Sequence, residues 1–420
     1  MEILLRQVRI IDPLSPFHQQ TIDILIRNGI IVETGTVTQT FDQEINIPAL
    51  CISPGWLDVF SNFCDPGYEF KETLESGASA AASGGYTDVM ILPNTNPCLH
   101  NKSGIEYIIQ RSKNLPVSVH PIAAITKNTE GKELAEMYDM HQSGAIAFSD
   151  GTSTIQSPGL LLKALQYIKA VNKTIIQVPD DRSISGMGLM NEGIVSTRLG
   201  LTGRPAIAEE LMIARDIELT KYTGSKIHIT GISTARSVAL IKEAKEQGIK
   251  VSCSVSPYHL FYSDEDLVNY DTNLKVNPPL RTKEDQDALK KGLTDGTIDC
   301  IASHHFPEDI DHKMVEFEYA QYGMTGLETS FALIRTCMPD LELEKITELF
   351  STRPRLVFDL PAVKIDKDET ACMTLFLPDE KWVVENLKSK SKNSPLIGKQ
   401  LTGKPLGIIN KDKVFLNLNY

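Results

Sequence analysis

The 420-residue chain has no run approaching the roughly 20 consecutive apolar residues of a membrane span, which argues against a spanning helix. It has no excess of positive charge either. Its 42 Lys and Arg stand against 54 Asp and Glu, a net −12. Nucleic acid and anionic membrane both favour a basic face, so neither is an expected partner. The N-terminus, MEILLRQVRIIDP, lacks the apolar stretch and cleavage site of a signal peptide. Seven cysteines are scattered without a CxxC or other zinc spacing, and an odd number fits no closed disulfide framework. Together these absences predict a protein of a reducing cytoplasm.

What is present alternates. Residues 1 to about 50 read as short strands (ILLRQVRII, TIDILIRNG, IIVETGTV), with Ile22, Ile24 and Ile26 on one face of a half-buried strand. The end of the chain reads the same way, as ACMTLFL, KWVV, KPLGIIN and KVFLNL. Two strand-rich ends predict a small β-sandwich domain built from both termini, residues 1–50 plus 365–420. Between them, over 51–364, eight strands are predicted at 52–59, 86–92, 117–124, 144–148, 174–178, 226–230, 250–255 and 298–303. Helical patterns separate them, among them 158–173, 205–224 and 233–248, the last with Ser233 as N-cap and Gly248 as stop. The fold class is α/β, and the alternation fits a (β/α)8 TIM-type barrel. The glycine pairs lack the strand–GxGxxG–helix setting of a nucleotide site and read as turns.

One stretch carries more than periodicity. Pro54 to Thr73, PGWLDVFSNFCDPGYEFKET, resembles the first barrel strand of the dihydroorotases in the amidohydrolase superfamily, P-G-x-x-D-x-H-x-H-x-R-x-P-G-x-E. Pro54, Gly55, Asp58, Pro66, Gly67 and Glu69 are kept, as are Lys71 and Glu72 of the Lys-Glu-rich helix start that follows. Phe60 and Asn62 stand at the two histidine positions, and Cys64 at the arginine position. Further motifs match the family along nearly the whole chain: PNTNP at 93–97, NPPLR at 277–281 and GMTGLET at 323–329.

The resemblance implies an amidohydrolase barrel with zinc, with its active residues at the C-terminal strand ends. There this chain departs from the pattern. Val178 and Gly231 occupy two more histidine-ligand positions, and His304 takes the place of the catalytic aspartate. Of the six metal or catalytic positions (60, 62, 150, 178, 231 and 304) only Asp150 survives. Phe60, Val178 and Gly231 offer no donor atom, and asparagine is a poor zinc ligand. Zinc is therefore expected to be absent, and no cofactor is predicted. Asn94, Asn277 and His305 match residues that face the substrate in the family, while Cys64 replaces the arginine that clamps its carboxylate. These loops are expected to keep barrel geometry rather than form a working site. As a nucleophile Cys64 has no histidine near it in sequence. Asp180-Asp181-Arg182 and the DIDH run at 309–312 read as solvated loops.

Two functions from different classes remain open at this point. The resemblance implies a non-catalytic dihydroorotase homologue of pyrimidine biosynthesis, serving as a structural partner of aspartate carbamoyltransferase; a homo-oligomer is also open. The alternative is an active dihydroorotase, or another cyclic-amide hydrolase, with a rebuilt site. A metal-less scaffold related to dihydropyrimidinase fits the framework motifs and the length less well. For a partner, exposed apolar side chains are expected in the loops near Phe306 and Tyr319 to Tyr322.

Overall fold

Gly55 divides what reads in the sequence as one strand over 52–59. In the computed structural model, which describes residues 2–38 and 41–417, Cys51–Pro54 pairs with Glu2–Ile10 and Cys372–Val383. Trp56–Ser61 pairs instead with Tyr86–Ile91. The break needs glycine for space, because a β-carbon at residue 55 would lie 2.2 Å from Thr87 Oγ1 and 2.8 Å from Cys372 Sγ. The expected single strand is two strands in two sheets.

Trp56–Ser61 opens a sheet of eight parallel strands in chain order. Strands 2 to 8 of this barrel are Tyr86–Ile91, Ser118–Ala123, Ala147–Phe148, Thr174–Gln177, Ile227–Thr230, Val251–Val255 and Cys300–Ile301. Every residue of Tyr86–Ile91 is buried, as expected for a parallel strand covered on both faces. A parallel bridge from Ser61 to His305, with Asn62 N–H donating to the His305 carbonyl at 2.9 Å, brings the last strand back to the first. The result is a nearly closed (β/α)8 barrel.

The intervening helices start where their caps allow. Ser157 caps Pro158–Ile168, which has proline in its first turn. Thr234, not Ser233, caps Ala235–Glu246. Ser233 is unavailable because its N–H and hydroxyl both donate to the buried carboxylate of Glu209. Ile207–Thr223 stops at Gly224, whose φ is +66°.

The second sheet runs Lys413–Leu416, Gln400–Asn410, Cys372–Val383, Cys51–Pro54, Glu2–Ile10, Thr21–Arg27 and Ile30–Gly35, with Gln43–Ile45 beside Glu2–Ile10. Both termini thus feed one sheet. ACMTLFL and KWVV join into the single strand Cys372–Val383, with a register shift between Leu377 and Lys381. KVFLNL is a strand only to Leu416, and its last residue lies outside the described residues. Thr21–Arg27 is apolar on both faces rather than one. Ile24 and Ile26 pack with Ile52 and Met373, while Leu25 packs oppositely with Leu4 and Val37. Trp56 ties the two sheets together, lying 5.0 Å from the rings of Phe331 and Phe350 and 5.6 Å from Phe376. Among the described residues no helix is long and apolar enough to cross a membrane.

Candidate functional site

The C-terminal ends of strands 1, 6 and 8 converge on one imidazole. Phe60 (strand 1) and Val178 (after strand 5) belong to one buried apolar cluster with Met90, Ile122, Ile176 and Ala302. The Phe60 ring lies 4.9 Å from the His304 imidazole and 6.0 Å from Phe306. Gly231, after strand 6, has φ +71°, and a β-carbon there would sit 2.6 Å from His304 Cε1. A side chain at 231 and the imidazole of His304 therefore claim the same volume.

A chain of hydroxyls fixes that imidazole. His228 Nε2 meets Ser254 Oγ at 2.9 Å, Ser254 Oγ donates to Thr230 Oγ1 at 2.8 Å, and Thr230 Oγ1 meets His304 Nε2 at 2.8 Å. The Thr230 oxygen thus accepts from Ser254 and meets one ring nitrogen of His304, leaving the other, Nδ1, to its surroundings. That Nδ1 is buried without a hydrogen-bond partner. Burial, with His259 and His228 nearby, pushes His304 down to about 3. Burial likewise pushes His228 to about 3 and His259 to about 4. All three are neutral at pH 7.

A histidine pushed below its ordinary 6.5 stabilises the fold fully above pH 6.5, and that contribution is lost as pH falls toward the folded value. Asp150 and Asp216, raised to about 6 by burial, act oppositely: their contribution is present below about 3.8 and lost as pH rises through 6. The His304→Gln variant isolates one histidine. Its stability in urea is expected to fall less steeply than wild type between pH 6 and 4.5, by about 1.4 kcal/mol per pH unit. Equal slopes would mean that His304 titrates normally.

The other positions singled out in the sequence scatter around this plug. Asp150 accepts from the N–H groups of Ile125 and Thr126, at 2.9 Å each, and from the Thr126 hydroxyl. Asn94 is spent on the neighbouring loop, donating to the Asp150 carbonyl at 3.1 Å and accepting from Thr152 N–H at 3.3 Å. His305 turns away from His304, its Nε2 3.4 Å from the buried Glu72 carboxylate and its Nδ1 accepting from Gly326 N–H. Burial alone would raise Glu72, but His305, Ser389 and Ser76 outweigh it and hold the carboxyl below its usual value. Cys64 is buried, and desolvation pushes its thiol far above the ordinary range, so it is no nucleophile. Asn62 is held by its own turn, with Oδ1 accepting from Cys64 N–H at 3.0 Å.

Above the plug lies a cleft of about 260 Å³, lined by Asn62, Thr152, Tyr258, Asn277, Phe306 and Tyr322. Phe306 is half-buried and packs on the plug, while Ile310, Met314 and Tyr319 in the same loop are exposed. Arg204, which no sequence motif marked, governs the cleft wall: it donates to Asn277 Oδ1 and to Asp180 Oδ2, both at 2.8 Å. Asp180 is therefore a buried ion-pair partner rather than a solvated loop residue. Lys71 is paired with Glu308 at 2.7 Å. Each of these two cations already has its carboxylate. Arg281 of NPPLR is buried too, bonded to Ser233, Asn191 and the Arg204 carbonyl, so this motif holds loops together.

The six positions do not fit a zinc pair. One carboxylate, one carboxamide and the His304 imidazole remain; the Asp150 oxygens are taken by backbone and hydroxyl donors, and His304 Nε2 is taken by Thr230. Among the described residues, one group of three potential ligands has its donor atoms within 4.8 Å of one another: Glu308, Asp309 and His312, in the loop after strand 8. Glu308 is engaged by Lys71, and Asp309 by His312 at 2.7 Å.

The chain is similar to known proteins along its whole length. A family model described as dihydro-orotase-like matches residues 50–237. The chain is 39% identical over 412 residues to a dihydroorotase of Syntrophus aciditrophicus, covering 96% of each chain. It is 41% identical over 391 residues to one of Carboxydothermus hydrogenoformans, covering 91% of each. In solved structures, an L-hydantoinase of Arthrobacter aurescens superimposes with a TM-score of 0.84 at 22% identity, over 98% of this chain and 95% of that one. A dihydropyrimidinase of Brevibacillus agri gives 0.83 at 18%, over 99% and 95%. At such identities these structures speak to the fold. Full-length identity near 40% reaches further, and on it the chain belongs to the dihydroorotase family of amidohydrolase barrels.

Proposed function

We propose that this chain is a catalytically silent member of the dihydroorotase family, retained in pyrimidine biosynthesis as a structural partner of aspartate carbamoyltransferase. The observation that carries the first half is the interlock at the barrel mouth. The imidazole of His304 fills the space beside Gly231, and Phe60 and Val178 close the apolar floor. Ring opening of a cyclic amide needs a nucleophile near neutral pH. In this family's chemistry a metal supplies it by lowering the pKa of bound water from 15.7 to about 7. The residues at the six positions do not fit such an ion, and His304 does not replace it. His304 is buried and neutral, its Nε2 occupied by Thr230. The arginine position that would grip the substrate carboxylate holds the buried Cys64, and Lys71 and Arg204 are already paired with carboxylates.

The second half rests on the family resemblance, and a surface is what a barrel without chemistry has to offer. Two measurements on purified protein test the reading. Ring opening and closure of dihydroorotate with zinc supplied is expected to stay at the rate of buffer alone. Mixed at micromolar concentration with aspartate carbamoyltransferase of the same source, the chain is expected to co-sediment and raise the transferase rate. Turnover that depends on zinc would reinstate the active enzyme with a rebuilt site. An unchanged transferase, in size and rate, would remove the partner.

A further inference from the structure

The loops after strands 5, 7 and 8 form one face. They span 179–206, 256–282 and 302–329, and they share a buried core that includes Met190, Val195, Leu267, Leu274, Phe317 and Met324. Hydrogen bonds stitch them edge to edge. Tyr322 donates to the Gly188 carbonyl at 2.8 Å, Tyr270 to the Leu199 carbonyl at 2.9 Å, and Lys313 to the carbonyls of Thr272 and Gln321 at 2.8 Å each. A face braced in this way is a fixed shape.

Its outside is unusually apolar. Met187 is 88% exposed, Ile194 86%, Met314 78% and Tyr319 71%, with Tyr270 and Ile310 beside them. Elsewhere on the described surface exposed apolar residues such as Leu14, Tyr222 and Leu356 stand apart in the sequence, and isolated ones need no explanation. Methionine, tyrosine and isoleucine gathered on three adjoining loops have the composition of an interface centre. A shallow groove of about 180 Å³ runs beside Ile310 and Met314.

The charge around this centre decides what can cover it. Six exposed carboxylates lie in these loops: Glu192, Glu265, Asp266, Asp311, Glu316 and Glu318. Only two exposed arginines, Arg182 and Arg198, accompany them. Lys275 and Lys313 are buried, their ammonium groups donating to backbone carbonyls. A second copy docked face to face would set this acidic rim against itself, and like charges across an interface oppose association.

We propose that this barrel-mouth face docks a folded protein whose matching surface is apolar at its centre and ringed by lysine and arginine. The inference rests on the partner reading above and specifies where and by what chemistry the contact is made.

The test uses the full chain, with purified aspartate carbamoyltransferase of the same source as the probe, followed by sedimentation and binding kinetics. The double variant Met187→Asp/Ile194→Asp and, independently, Met314→Asp are expected to weaken binding about tenfold or more, the scale of a lost interface anchor. Glu316→Lys with Glu318→Lys is expected to slow association and flatten its salt dependence. Tyr222→Asp, on the outer helix Ile207–Thr223, is expected to bind as wild type. Thermal melts matching wild type establish that each variant folds. If wild type binds and all the loop variants bind equally well, the docking face is wrong while the partner reading stands. If wild type does not bind, the partner reading fails and takes the face with it. Self-association of the wild type that Met187→Asp/Ile194→Asp abolishes would overturn the basic-rimmed partner in favour of a second copy.

Discussion

Replacing Gly231 with alanine is expected to destabilise the folded chain by about 2–5 kcal/mol in urea unfolding. Two costs add. The backbone at 231 sits at φ +71°, where a β-carbon costs roughly 1–2 kcal/mol. That carbon would also meet His304 Cε1 at 2.6 Å, and forcing extra volume into a packed core costs about 1–3 kcal/mol more. Only the second cost involves His304, so a double-mutant cycle separates them. In the His304→Ala background, Gly231→Ala is expected to cost only the backbone share. The coupling energy between the two sites should then be about 1–3 kcal/mol. Strictly additive effects would show that the two residues do not compete for space, and the plug would lose its physical basis. The same competition bears on function. A histidine reinstated at 231 has no room while His304 stays, so single substitutions cannot restore a metal site.

Much of this was legible in the sequence because it depends on residue type alone. Phe60, Val178 and Gly231 carry no donor atoms in any conformation. The eight strands showed as apolar runs because a parallel barrel buries both faces of each. What the sequence hid were relations across space. Nothing local says that Gly55 must break a strand, since the reason is Thr87 and Cys372 from distant segments. Ser233 read as a cap, and Glu209, 24 residues earlier, claims it. Arg204 left no motif, although it binds Asn277 and Asp180 at once. His305 kept the family position while its ring pairs with Glu72, a residue prominent in sequence only as part of the framework. The Glu308–Lys71 pair was hidden for the same reason, because it joins loops more than two hundred residues apart.

The second large effect lies at the junction of the two sheets. Asp88, on strand 2, is buried and held by Arg355 Nη2 at 2.5 Å, by the Thr87 hydroxyl at 2.9 Å and by His120 Nε2 at 2.8 Å. Burial by itself would raise this carboxyl, but Arg355 and His120 overcome it and hold the group far below the ordinary carboxylate range. Arg355 also donates to the Gly55 carbonyl at 3.2 Å, at the residue where one sheet ends and the other begins. The Arg355→Met variant keeps the bulk and removes the charge, leaving a buried carboxylate without its strongest partner. The expected loss is about 3–5 kcal/mol. Adding Asp88→Asn should recover most of it, because a neutral pair of similar volume carries no stranded charge. A depressed carboxylate contributes stability that is present above its ordinary 3.8 and is lost as pH falls toward the folded value. The wild type should therefore lose ground in acid below about pH 4 from this site, and Arg355→Met should lose less there, having already lost the pairing. Urea unfolding of the two variants and wild type at pH 7 and pH 3 gives all the required differences. If Arg355→Met alone is within about 0.5 kcal/mol of wild type, the scale of an ordinary surface change, then the pair is solvated and does not hold the sheets together.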